Sequence, residues 1–272
     1  MTDNDREAAP TSLNPSLLGR LMPEGSARPV VAYARDYPDG QHLARHHHDH
    51  HQLVYTAAGL MRLTIADGVW VVPPQRAVWI PAGTVHEVIC VGHVAMRTVY
   101  VLPGAAPWLP TALQVMGVSP LLRELVLAIS DLPLDYALGG AESRLVQVLL
   151  DEIRPRPVSE LHLPMPTDRR LRAVADRLIA EPADPRTLEA WSREAGASAR
   201  TLARLFVAET GLSFRLWRQL LRLHEALARL SVGEPVTSVA YEVGYDSPSA
   251  FIAMFRRVLG TTPSMYFEER GR

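Results

Sequence analysis

The chain has 272 residues, 47% hydrophobic and 21% charged, the composition of a globular protein with room for two domains. No apolar run reaches the roughly 18 residues that a membrane-spanning helix needs, and a net charge of −1 excludes a bulk polycation. The opening MTDNDREAAP has neither the basic nor the apolar region of a secretory signal, and the one cysteine, Cys90, excludes an intramolecular disulfide framework. Both point to the cytoplasm.

Residues 1–25 carry Pro, Ser, Asn and Gly without periodicity and read as a flexible arm. From 26 to 110 the pattern is β. QLVYTAAG, LMRLTIADG, VWVVPP, AVWIPAG, HEVICVG and AMRTVYVLP are short runs of β-branched and aromatic residues, punctuated by Gly or Pro, as in an antiparallel sandwich or barrel. Two amphipathic helical patterns occupy the stretch 111–153, at 119–132 and 141–153. Their apolar stripes suit either a homodimer interface or packing on the barrel. Residues 154–166, with four prolines, read as a linker, and 167–268 as an all-helical domain. From Thr167 onward there are 16 Arg against 13 acids, or +3, while the preceding part carries 12 Arg against 16 acids, or −4.

Within the helical part, residues 188–209 form a helix, a turn at Gly196 and a second helix under Ser198 that buries Leu202, Leu205 and Phe206. Its outward positions include Arg200, Ala203 and Arg204. The same syntax returns over 236–259. A short helix ends at Gly244, and the next begins behind Ser247 with Pro248 at its first turn. Phe251, Met254, Phe255 and Val258 share its buried face, and Ser249, Ile252, Ala253 and Arg256 lie opposite. Between the units, residues 213–230 form one amphipathic helix of roughly 27 Å at about 1.5 Å per residue. Successive major grooves on one face of DNA lie about 34 Å apart, so a connector of this length lets one chain address both. A single helix-Gly-helix unit is more often ordinary helical packing than DNA binding. Two, so joined, are better explained by DNA.

At these residues the chain resembles the DNA-binding domain of AraC/XylS-type transcriptional regulators. Val239, Gly244, Ser249, Phe251, Phe255, Gly260, Thr262, Pro263 and Tyr266 follow that family's C-terminal pattern, and ETGLSF (209–214) follows its junction into the connector helix. The resemblance implies sequence-specific binding to promoter DNA, with two half-sites per chain about one helical turn apart. It implies a small-molecule effector and makes RNA polymerase a partner. Its base-contact positions fall on Arg200, Ala203 and Arg204 in the first unit, and on Pro248, Ser249, Ile252 and Ala253 in the second. Arginine pairs with guanine O6 and N7, so sequence preference is expected to rest mainly on the first unit. Arg256 and Arg257 are open between phosphate contact and a solvated face.

The N-terminal half holds six histidines between residues 40 and 59 and another at His86. In an extended strand His46, His48 and His50 share one face, and neutral imidazole is a ligand for first-row metals. Gly40, His46, His48, Gln52 and Gly59 resemble the first cupin motif in spacing, with Gln52 in place of the usual glutamate. Pro81, Gly83 and His86 resemble the second, with Gln75 and Ile89 departing from it. This implies a six-to-eight-stranded barrel with His46, His48, Gln52 and His86 converging in its mouth. Three readings stay open: a structural remnant, a divalent metal site (Zn, Ni or Fe) and, least supported, catalysis, since no separate acid or base accompanies the cluster. Trp70, Trp79 and Tyr55 are candidate walls of a ligand pocket. The expected architecture is thus an N-terminal all-β cupin barrel with helices attached and a C-terminal all-α domain with two helix-turn-helix units. The expected function is effector-responsive regulation of transcription without enzymatic activity. A cupin metalloenzyme is the rival, and it leaves the duplicated helical units unexplained.

Overall fold

The computed structural model describes residues 11–12, 28–74, 76–153 and 161–268. Among the described residues the N-terminal half is one folded-over sheet of nine strands: β1 (Thr11–Ser12), β2 (Val30–Tyr37), β3 (His42–His47), β4 (His51–Ile65), β5 (Gly68–Val72), β6 (Arg76–Ile80), β7 (His86–Val101), β8 (Gln114–Gly117) and β9 (His162–Pro164). The long strands β4 and β7 are its spine. They pair antiparallel from His51↔Val101 to Thr64↔Glu87, and β4 shifts register around Ala58. The first half of β4 also pairs with β6, the second half with β5, while β7 pairs with β2 and β3. Each long strand therefore serves both sides of the barrel. Alternation along β4 sends Gln52, Val54, Met61 and Leu63 to the cavity and Leu53 and Tyr55 to the opposite face.

Helices α1 (Pro120–Ser130) and α2 (Ala141–Glu152) cover that opposite face. Leu122, Leu125, Val126, Ile129, Val146, Leu149 and Leu150 pack with Leu53, Tyr55, Trp79, Val99 and Val101. Two boundaries differ from the sequence reading. Strand β8 lies beyond residue 110 and pairs with β6, so the sheet runs into the stretch read as helical. Part of the stretch read as linker (154–166) is strand β9, which pairs with β5 from Gly68↔Pro164 to Trp70↔His162. Proline is tolerated there because β9 stands at the sheet edge. Residues 154–160 lie outside the described residues, as does most of the arm at 1–25, of which Thr11–Ser12 pairs in parallel with His46–His47.

The C-terminal half is all helical: α3 (Arg169–Ala180), α4 (Leu188–Ala195), α5 (Ala199–Thr210), α6 (Phe214–Ser231), α7 (Val236–Glu242), α8 (Pro248–Leu259) and α9 (Pro263–Glu268). Helix α6 belongs to two cores. Phe214, Trp217 and Leu221 pack with Trp191, Leu202 and Phe206 of the first unit. Leu223, Leu227 and Leu230 pack in a cluster that holds Phe251, Phe255 and Tyr266 of the second unit and reaches the barrel.

Candidate DNA-reading helices and a buried histidine cavity

Both recognition helices start on a serine cap. Ser198 Oγ accepts from the Thr201 amide at 3.2 Å, and Ser247 Oγ from the Ala250 amide at 3.2 Å. Leu202 and Phe206 root α5, and Phe251, Met254 and Phe255 root α8, all buried. That rotation leaves Arg200, Ala203 and Arg204 exposed on α5, and Ser249, Ala253 and Arg256 exposed on α8. Pro248 and Ile252 are half-buried, and Ile252 leans on the second unit's core. Ser249, Ile252, Ala253, Arg256 and Arg257 line one shallow depression, so the expected reading face of α8 is continuous. Arg257, exposed like Arg256, donates to Gln219 Oε1 at 2.8 Å.

In the barrel, His46, His48 and His86 are buried, with ring centroids 4.3 to 5.3 Å apart. One ligand nitrogen from each lies within 4.8 Å of the others. The register His46↔His86 between β3 and β7 brings the two motifs together. His46 Nδ1 donates to Ala44 O at 2.6 Å and His86 Nδ1 donates to Thr84 O at 2.8 Å. This tautomer leaves each Nε2 lone pair free, the arrangement in which metal-binding histidines are oriented. Burial is the main reason all three imidazoles are poor bases. His48 is pushed down to about 3, with the neighbouring His86 and His46 adding to the effect, and His86 to about 4. His46 is lowered by burial against the partial restoring effect of its bond to Ala44. Neutral rings are what a cation requires.

Gln52 joins the cluster, its amide donating to Tyr100 Oη at 3.4 Å. Among the described residues, its Oε1 and both ring nitrogens of His48 are buried without a hydrogen-bond partner. The cavity below has a volume of about 150 Å3. Val54, Met61, Leu63, Val78, Ile80 and Met96 make its apolar wall, and Tyr33, Arg35 and Tyr37 of β2 close it. The aromatic walls expected from sequence are misplaced. Tyr55 and Trp79 lie under α1 and α2, and Trp70 stacks on His162 at 4.1 Å. The aromatic walls are Tyr33, Tyr37 and Tyr100 instead. Their signal was present in β2, where Tyr33, Arg35 and Tyr37 stand two apart and so share a face. His47 and His50 lie outside this cluster, and His51 Nδ1 accepts the Ala82 amide at 3.1 Å.

The family model for the AraC-like ligand binding domain matches residues 28–181, and that for a helix-turn-helix domain matches residues 191–269. The HTH-type transcriptional regulator NimR of Escherichia coli (strain K12) is 38% identical over 221 residues, 81% of each protein. The HTH-type transcriptional regulator RipA of Corynebacterium glutamicum is 41% identical over 103 residues, 38% of this chain and 31% of that protein. Among solved structures, ToxT from Vibrio cholerae aligns over 89% of this chain and 98% of its own, at 10% identity and a TM-score of 0.38. With a ligand-binding half and a helix-turn-helix half matched in order, and a relative of such identity over most of its length, the chain belongs to the AraC family of transcriptional regulators.

Proposed function

We propose that this regulator binds promoter DNA in the cytoplasm with α5 and α8 in successive major grooves, and that a small effector in the barrel cavity governs that binding. The observation that carries the reading is the state of the arginines on α5. Among the described residues Arg200 and Arg204 are exposed and hold no ion pair, whereas Arg177 and Arg186 of the same unit are committed to acidic partners. Arg200, Ala203 and Arg204 then read bases, and Pro248, Ser249, Ile252 and Ala253 make the apolar and hydroxyl contacts of the second half-site. Arg256 goes to phosphate. At about 150 Å3 the cavity is smaller than the roughly 300–1,000 Å3 of sites for drug-sized ligands, so the effector is small. Leu121, Leu145 and Val148, exposed on α1 and α2, offer an apolar stripe for a homodimer, and RNA polymerase is the partner on the promoter.

A second reading concerns the effector and rests on the unpartnered nitrogens of His48. A divalent cation fits His46 Nε2, His48 and His86 Nε2, with the free Oε1 of Gln52 as fourth donor. When bound, the ion would supply a Lewis-acidic anchor for one polar atom of the effector. The protein's part is to hold three neutral imidazoles and exclude water. Among the described residues the cavity lining carries no carboxylate to serve as acid or base, and we assign no reaction to it.

One experiment addresses both readings: selection of bound sequences from random DNA, with and without zinc or nickel, using protein purified without affinity resin. Two short half-sites about 10 bp apart are expected. No enrichment at moderate salt would sink the tandem reading. Metal analysis of the same sample is expected to give about one equivalent. A metal-free protein whose melting temperature ignores added zinc and nickel would remove the second.

A further inference from the structure

Helix α6 changes allegiance at one residue. Its buried side chains up to Leu221 pack in the first unit's core, and those from Leu223 onward in the second's. Between them stands Arg222, half-buried, with its guanidinium across the seam. Its Nε donates to Pro182 O at 3.1 Å, in the loop between α3 and α4 of the first unit. Its Nη1 donates to Gly244 O at 2.8 Å, in the turn between α7 and α8 of the second. One planar group thus holds a carbonyl from each unit in a fixed fork. One turn earlier, Arg218 donates to Asp184 O and, at 2.8 Å, to Arg186 O of the same loop.

The loop that receives these bonds is itself immobilised in the first unit. Asp184 is 5% exposed and grips the Arg186 guanidinium. The guanidinium carbon of Arg186 lies 3.5 Å from the centre of the buried Trp191 ring. On the other side, Gly244 (φ 83°) admits the clamp by having no side chain. A Cβ there would fall 2.7 Å from Arg222 Nη2 and 3.0 Å from Ala183 Cα. The turn of the second unit therefore touches the loop of the first with Arg222 between them.

We propose that Arg222, seconded by Arg218, is a positioning residue that sets the distance and angle between the two reading helices, and so selects the half-site spacing the regulator accepts. This deepens the two-groove reading above and rests on it. Moving a half-site by one base pair shifts it about 3.4 Å along the DNA and roughly 34° around it. A reader held rigidly across the seam pays that misfit in affinity. A reader hinged at the seam does not.

The test measures binding of the full chain to its selected operator and to versions with the half-sites moved by one or two base pairs. The wild type is expected to bind the preferred spacing about tenfold more tightly than its neighbours, in line with the cost of a mismatched contact. Arg222→Ala is expected to compress that ratio to about threefold or less, with affinity for a single isolated half-site changed by less than about threefold. Arg222→Lys, which keeps the charge but not the fork, should fall between. It also serves as the readout if the alanine variant fails a melting check. Full discrimination retained by the variants would overturn the proposal, as would a wild type indifferent to spacing. A wild type that binds no operator would instead refute the DNA reading on which it rests.

Discussion

Arg200 and Arg204 lie exposed on the outward face of α5 with nothing to hold within the described residues, a state they share with Arg193 and Arg215. Arg172, Arg177 and Arg186 are paired with acids, and Arg218 and Arg222 with carbonyls. Each free guanidinium keeps its full fork of donors for a guanine edge. Arg204→Ala is therefore expected to weaken binding to the cognate site by about 1–3 kcal/mol and to relax preference at one base pair. Arg256→Ala should weaken all sequences alike and lower the slope of log affinity against log salt by about 1. Equilibrium binding over a salt series on cognate and scrambled DNA separates the two effects. An Arg204→Ala variant with unchanged sequence preference would take that residue out of the reading set. These residues were legible in the sequence because helix caps and the three-and-four spacing are local. The clamp at Arg222 was not, because its two carbonyl partners lie 40 and 22 residues away and carry no side-chain signature.

At the scale of elements, the sequence divides the β half too finely. QLVYTAAG and LMRLTIADG read as two strands broken at Gly59, yet β4 runs unbroken through both. Likewise HEVICVG and AMRTVYVLP are one strand, β7. A glycine at a bulge punctuates a sequence just as a turn glycine does. What keeps the chain going is pairing on both sides of it, which only the assembled sheet provides. Gly59 (φ 70°) sits at the shifted register, and a Cβ there would lie 2.5 Å from His93 O. Gly59→Ala is expected to cost about 1–3 kcal/mol from the left-handed backbone alone, with the clash adding to it. Chemical denaturation checks this, and a loss below half a kilocalorie would mean that the spine strand bends elsewhere. The histidine cluster was legible from motif spacing. The cavity's tyrosine walls were not singled out, although β2 alternates plainly, because nothing local distinguishes a face turned to a cavity from one turned to a core.

At the scale of the molecule, the barrel and the second DNA-binding unit meet along α6. Arg62 Nη2 of β4 lies 3.2 Å from Glu225 Oε2, and Arg229 extends the chain of charges from Glu225 to Glu234. Gly92 of β7 approaches so closely that a Cβ on it would sit 2.9 Å from Val232 Cγ1. Both side chains of the Arg62–Glu225 pair are about a quarter to a third exposed, so screening limits its worth to roughly 1 kcal/mol or less. Arg62→Ala should accordingly lower global stability by no more than about 1 kcal/mol in dilute buffer, and by less in molar salt. Denaturation at two salt concentrations tests this, and a salt-independent loss of several kilocalories would show a stronger joint.

Strand β9 adds a mechanical consequence. The last barrel bond on this segment runs from the Met165 amide to Asp67 O. The DNA-binding half takes hold within the same few residues: Trp217 Nε1 donates to Pro164 O at 2.7 Å, and the Thr167 amide donates to Glu209 Oε2. Between these two knots only Pro166 is left, the stiffest residue available. The leash joining sensor to reader has almost no slack. Any displacement of the β5 edge would be handed to the first unit nearly at full stroke, without waiting for a flexible tether to be drawn taut.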